Sequence, residues 1–490
     1  VNDEPLVLAH AALFNAEGIP APRGLSGSFG IEYGPVATQC YQLLLLATTD
    51  PVTVAAVHGA LTSAVLAAAA LWLGRTLRLS PWFLPAALVA PFVVWSNRTL
   101  WDATAAVPIG AVALAAYAAY LRGGGRWSLG VALFCTTLVP FCHLQGLPLA
   151  GAVFAHAAGR AWRTGWDRRT ALVAVLAVLA AVAPNAVYLF NVLKILPLAL
   201  LTIVAAGHTG TAMPRWRAVI GPFLGGRPFT AEGFEAWTEN PALPATPADW
   251  AAVASYLIVP VVWLGIVAAG WTWWVGRRTA GTGDARTEAA GTDAADSGAA
   301  TAAARQGAFA VCLLALGLQV GLFTLMRAPA WPQYFYGTFA VHLLLGWAGV
   351  QWLARVRLRL AFVLLFGAAG AALTALALHE RHTLGPTRES GPTLANQVEV
   401  ARALNRYDDP EVWTDVDLYK QHPQAIRSLR VLIPPGPSDG PRAAGKRLVI
   451  RYVPGQPEGR ARVELVEVPT FAIAPPDAEP VNVDPMSRWY

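Results

Sequence analysis

Val52-Thr-Val-Ala-Ala-Val-His-Gly-Ala-Leu-Thr-Ser-Ala-Val-Leu-Ala-Ala-Ala-Ala-Leu-Trp-Leu-Gly74 contains no Asp, Glu, Lys or Arg. A hydrocarbon layer about 30 Å thick takes roughly 20 apolar residues of helix to cross, and this stretch is long enough. Asp50-Pro51 opens it and Arg75 and Arg78 follow it, so polar groups bracket a greasy interior. Applied along the chain, the same criterion predicts about ten spans, near 52–74, 82–96, 103–121, 127–143, 145–162, 170–191, 253–275, 307–326, 334–354 and 360–378. Residues Leu193 to Ala206 are apolar but short and include Pro197, which fits a re-entrant or interfacial helix.

Composition agrees with that class. Of 490 residues, 55% are hydrophobic and only 13% charged, a balance foreign to a water-soluble domain of this length. The net charge of +6 does not signal nucleic acid, because the arginines cluster between apolar runs and no nucleic-acid-binding module is present. Cys40, Cys135, Cys142 and Cys312 have neither CxxC spacing nor a paired framework, so neither a disulfide scaffold nor a zinc knuckle follows.

The arginines set an orientation. Arg75 and Arg78, Arg122 and Arg126, Arg160 to Arg169, Arg277 and Arg278, and Arg355 to Arg359 occupy alternate connections, which predicts that those loops are cytoplasmic. Residues 1–51, Asn97 to Asp102, the long segment 192–252, Arg327 to Gln333 and the C-terminal part then lie outside the cytoplasmic membrane. The Ala-, Gly-, Thr- and Asp-rich segment 279–304 is predicted to be a disordered cytoplasmic linker. Residues 379–490 read as a small extracytoplasmic α/β domain, with a helix near Asn396 to Tyr407, a strand over Glu411 to Thr414 and a hairpin pairing Arg447–Val453 with Arg462–Val468.

Chemistry concentrates at the start of the chain, Val1-Asn2-Asp3-Glu4-Pro5. Taken locally, Asn2 or Asp3 before Pro5 is a helix-start signature, with Leu6, Ala9 and Leu13 at helical spacing behind it. An acidic pair beside so apolar a chain also needs water or a polar cavity. A fixed carboxylate at a helix start serves both readings.

Asp3-Glu4-Pro5, Glu32-Tyr33-Gly34-Pro35, Asp50-Pro51, the segment Pro91 to Asp102 with Arg98, and Arg327 with Trp331-Pro332-Gln333-Tyr334-Phe335 follow one another on the same predicted side. In that order they resemble the GT-C membrane glycosyltransferases of the protein O-mannosyltransferase and lipid A aminoarabinose transferase type. Gln333-Tyr334 stands where that family often has His-Tyr. The resemblance implies an α-helical polytopic fold with a further helix ahead of the acidic loop, so the native gene is expected to encode one upstream of Val1. It also implies transfer of a sugar from a polyprenyl-phosphate donor to a lipid, glycan or protein acceptor, with inversion at the anomeric carbon. Asp3 is then the base that takes the acceptor hydroxyl proton, and Glu4 orients the acceptor, holds Asp3 or ligates a metal. Arg98, Arg327 and Lys194 are the donor-phosphate candidates, since the departing phosphate needs positive charge. At arginine positions, snorkelling to the headgroups is the competing explanation. Glu32, Tyr33, Asp102, His143, Gln333 and Tyr334 are the substrate-binding candidates. No cofactor is required by these residues; a divalent metal, with His10 as a further ligand, stays open. The rival class is a transporter or lipid-carrier flippase, which would place ionisable groups at mid-membrane in repeated halves. Here charges sit at span ends and no duplication is visible.

Overall fold

The computed structural model describes residues 4–25, 32–88, 93, 100–101, 103–195, 264–272, 274–275, 293–326, 332–355, 360, 392–408, 410–415, 422–433, 443–444, 446–454, 462–468 and 478–480. The protein is mostly α-helical, with several helices suited to crossing a membrane and a small β-containing domain at its C-terminal end. Helices α1 (Glu4–Ala16) and α2 (Val36–Leu45) precede α3 (Pro51–Thr76) and the short α4 (Phe83–Leu88). Then come α5 (Ala106–Leu121), α6 (Gly125–Cys142), a 3-10 turn at Leu144–Gly146, α7 (Leu147–Thr164) and α8 (Arg168–Val182). Helix α9 (Asp293–Met326), a 3-10 turn at Pro332–Thr338 and α10 (Phe339–Arg355) follow, and helical residues 264–272 pack on α10 through Gly265.

The start of α3 shows why a polar residue before proline begins a span. The Asp50 carboxylate accepts from the Thr53 backbone N–H at 2.9 Å and from its hydroxyl at 2.6 Å, and Pro51 sits where no intrahelical donor is needed. The bonds to Thr53, with help from Arg402, hold the Asp50 carboxyl below its usual range. Along α8 the large apolar side chains Leu172, Val175, Leu176 and Leu179 are exposed rather than buried, as expected of a face that meets lipid.

The count of about ten spans does not survive. Among the described residues, four helices are long and apolar enough to cross a membrane: Pro51–Thr76, Gly125–Cys142, Arg168–Ile195 and Gly298–Leu322. Apolar length overstates helix length wherever turns interrupt it. The run 103–121 yields only 16 helical residues, because residues 103–105 are in turns first, with the Ala106 N–H bonded to the Ala103 carbonyl. The run at 145–162 becomes α7, diluted by His156, Arg160 and Arg163, and the run at 334–354 opens in a 3-10 turn and leaves 17 residues in α10. Within 82–96 the labelled helix is α4, six residues long. Most of 253–275, of 360–378 and of 193–206 lies outside the described residues. Residues 293–304, the last part of the segment expected to be a disordered linker, are instead the first turns of α9, with Ala304 fully buried, while 279–292 lie outside the described residues. Alanine is the best helix former, and its abundance here favours helix over coil.

Side-chain contacts show that the arginine-bearing ends gather together. Arg305 donates to the Leu77 and Arg78 carbonyls at 2.6 and 2.8 Å, and Arg122 donates to the Arg75 carbonyl at 3.2 Å. Arg160 lies over the Tyr120 ring, whose hydroxyl accepts from the Trp166 indole N–H at 3.0 Å. The connections carrying the N-terminal segment, His143 and Tyr336 lie at the other ends of these helices.

At that second end, four glycines let backbones meet. A Cβ on Gly337 would stand 2.8 Å from the Gly146 Cα, and one on Gly110 would stand 2.9 Å from the Gly337 carbonyl oxygen. Gly34 presses on the backbone of Phe141, where a Cβ would overlap the carbonyl.

The C-terminal domain has a four-stranded sheet, in the order β5 (Val463–Val468), β4 (Arg447–Tyr452), β2 (Glu411–Asp415), β6 (Ala478–Pro480). The expected hairpin is present with Arg447 opposite Val468 and Tyr452 opposite Val463. Separately, β1 (Tyr407–Asp408) pairs in parallel with β3 (Ala443–Ala444). Helix α11 (Leu394–Leu404), capped by Thr393, grips the hairpin through Asn396, which exchanges two hydrogen bonds with the Val463 backbone at 3.0 and 2.9 Å. Helix α12 (His422–Leu429) completes the domain.

Because Gly34 has no room for a side chain, Gly34→Ala is expected to lower stability by about 1–3 kcal/mol through overpacking. Gly159→Ala, whose added methyl meets nothing within 4 Å, should leave stability unchanged or raise it. Thermal unfolding of the two variants side by side checks this.

Candidate functional site

Asp3 lies outside the described residues. Glu4 is the first helical residue of α1, the end of a helix where negative charge is favoured by the backbone dipoles; its side chain is not among those described. What fixes α1 from behind is Gln42 on α2. Its side-chain amide donates to Asn15 Oδ1 at 3.0 Å and to the Ile19 carbonyl at 2.9 Å, while its oxygen accepts from the Ala21 N–H at 2.7 Å. Asn15 returns a bond to the Gln42 carbonyl at 3.0 Å. A buried amide used so fully ties the turn after α1 to the next helix.

From that turn the chain reaches Arg23. Gly24 and Tyr33 form a backbone bond at 2.8 Å and Tyr33 and Leu25 another at 2.7 Å, closing a narrow loop that brings Arg23 and Glu32 into an ion pair. Tyr188 donates its hydroxyl to the Glu32 carbonyl at 3.1 Å. The Tyr33 ring stacks on His143, with centroids 5.0 Å apart and planes 28° apart. His143 ends α6 in an extended conformation, and its Nδ1 accepts from the Gln145 N–H at 3.3 Å. In the neutral ring the proton therefore belongs on Nε2. Both His143 and Gln145 are buried.

Of the expected substrate-binding residues, the structure thus brings Glu32, Tyr33 and His143 together. Gln333 and Tyr334 belong to the 3-10 turn Pro332–Thr338. That turn packs on the Gly146 backbone through Gly337, and its Tyr336 meets the Trp101 ring edge-on at 6.0 Å. Arg98, Asp102 and Arg327 lie outside the described residues. Lys194 stands apart from the Tyr33 cluster in its contacts: its ammonium sits over the Phe190 ring, 4.1 Å from the centroid. It lies six residues beyond Tyr188 on the same helical segment, roughly 9 Å along the axis at about 1.5 Å per residue.

Sequence reasoning missed Arg23, Tyr188 and Gln42. Arg23 was findable, because it is the one basic side chain in residues 1–51. Tyr188 and Gln42 act across long sequence separations and carry no local signal. Among the described residues, no group of three or more His, Cys, Asp or Glu is placed to hold a metal ion. His10, suggested as a ligand, is instead buried against the Phe14 ring at 4.7 Å. Burial, with the nearby Arg23 charge adding to it, lowers its pKa to about 4.

A histidine whose folded pKa lies below its unfolded value binds its proton more readily in the unfolded chain. Stability is therefore expected to be full above about pH 6.5 and to fall as the pH drops toward about 4. His10→Leu should flatten that part of the pH profile, as measured by unfolding midpoints between pH 7 and pH 4. Comparison with protein-family models, curated proteins and solved structures found no match to this chain, so the reading of the site rests on its own residues.

Proposed function

We propose that this protein is a membrane glycosyltransferase of the kind its sequence motifs resemble. It takes a sugar from a polyprenyl-phosphate carrier and passes it to an acceptor hydroxyl at the extracytoplasmic face of the cytoplasmic membrane. The observation that carries the reading is the convergence at one bundle end: the Glu32–Tyr33 loop, the His143–Gly146 turn and the Pro332–Thr338 turn meet away from the arginine-rich ends. The Glu32–Tyr33 and Pro332–Thr338 stretches carry motif residues, His143 was singled out at a helix end, and their meeting on one surface is what a shared binding site requires.

In this mechanism Asp3 removes the acceptor proton as the hydroxyl oxygen attacks the anomeric carbon. The bond from that carbon to the carrier phosphate breaks, and the phosphate leaves as a stable anion. One base is enough, because the leaving group needs no proton, unlike the alcohol expelled in glycoside hydrolysis. Arg98, Arg327 and Lys194 neutralise the departing phosphate, with guanidinium offering a two-point match to its oxygens. Glu4 orients the acceptor or supports Asp3. Tyr33, held against His143 and half-buried, offers an aromatic edge to the sugar.

The test is an assay of the native full-length protein with polyprenyl-phosphate sugars in lipid. Asp3→Asn should lower turnover by about 100-fold or more, the usual scale of a lost general base. Equal turnover in both proteins would remove Asp3 from the role, and no turnover by the wild type with any donor would favour transport instead. Tyr33→Ala should raise KM roughly fivefold with little change in kcat, corresponding to about 1 kcal/mol of lost ring contact.

A further inference from the structure

We infer that the C-terminal domain is a clamp on α1, holding the helix that begins at the acidic pair against the bundle. Val7, Leu8, Ala9, His10 and Ala11 are five consecutive residues, none more than 2% exposed. At 3.6 residues per turn, five successive side chains point all the way round the axis. A helix lying on a bundle surface would leave one face open, so α1 must be covered on opposite sides. Helix α2 covers one side, and α12 of the C-terminal domain packs against another.

The covering helix is built for that task. Ala425, Ile426 and Leu429 are fully buried and Ser428 nearly so, and Ile426 and Leu429 belong to one continuous core with Val7, Leu8 and Ala11. Polar bonds brace α12 and its exit against the rest of the domain. Arg427 donates to the Pro410 carbonyl at 2.6 Å, Arg430 to Asn405 Oδ1 at 2.9 Å, and Asn405 to the Ile433 carbonyl at 2.7 Å. A second foothold lies at the other edge of the N-terminal segment. There α11 packs on α3, and Arg402 reaches the Asp50 carboxylate at 3.9 Å. That pair is half-exposed and contributes little by itself, but it marks where the domain lands. The domain therefore grips both α1 and the capped start of the first long span, the two ends of the segment carrying Asp3, Glu4, Glu32 and Tyr33. Ile426 and Leu429 are positioning residues: they act on the carboxylates only through α1. The catalytic consequence rests on the function proposed above; the clamp does not.

Hydrogen–deuterium exchange on the full chain in lipid tests this, comparing wild type with the double variant Ile426→Ala, Leu429→Ala. Exchange of amides in residues 5–16 is expected to rise about tenfold or more, with the β4–β5 hairpin reporting whether the domain itself stays folded. Unchanged protection of α1, whether or not the hairpin stays protected, would overturn the clamp. Where sugar transfer is measurable, kcat should fall in the double variant while the donor KM holds. A loosened α1 with unchanged kcat would keep the clamp and instead count against the role given to the acidic pair. Should no transfer be found in the wild type, the exchange result still decides the clamp.

Discussion

The contact on which the polar end depends is the meeting of backbones at Gly110, Gly146 and Gly337. Between helices in lipid there is little hydrophobic drive, so close packing must come from small residues that let main chains touch. Here the contact joins α5, the turn after α6 and the turn before α10. A side chain at any of the three would push these elements apart. The same device recurs at Gly34, which sets the Glu32–Tyr33 loop on the end of α6. The stacking of Tyr33 on His143 follows from these approaches, since both rings are carried on backbones already held within contact.

The molecule is divided between two kinds of end. At one, guanidinium groups are spent on the carbonyls at helix termini, as Arg305 and Arg122 show. At the other, carbonyls and carboxylates are paired with aromatic hydroxyls, amides and the guanidinium groups of Arg23 and, from the C-terminal domain, Arg402. The C-terminal domain rests on this second end. It covers an apolar helix that the bundle would otherwise leave uncovered on one side, and burial of that helix also keeps His10 neutral.

Much of this was legible in the sequence where the cause is local. Asp50-Pro51 announced the start of α3, and the strand-like runs 447–453 and 462–468 announced the β4–β5 hairpin. Reading failed where the cause is not local. Apolar length could not register that residues 103–105 form turns before α5 begins, or that Arg160 and Arg163 spoil α7 as a span. The low-complexity composition of residues 293–304 looked like coil, yet alanine in quantity extends α9 by several turns. Within the site, Glu32, Tyr33 and His143 were named for their place in motifs or at a helix end. The Gln42 hub and the Tyr188 bond to Glu32 join residues far apart in the chain, and nothing in their neighbourhoods marks them.

The central claim is that the lipid-linked donor is bound at the end of the bundle bearing the acidic segment. The most direct measurement uses a photoreactive polyprenyl-phosphate analogue, activated on the membrane-embedded protein, with the modified peptides then identified by mass spectrometry. The account expects modification within residues 1–33, around His143 to Gly146 and around Gln333 to Tyr336. Modification confined to the arginine-rich end, at Arg75 to Arg78 and Arg122 to Arg126, would contradict it.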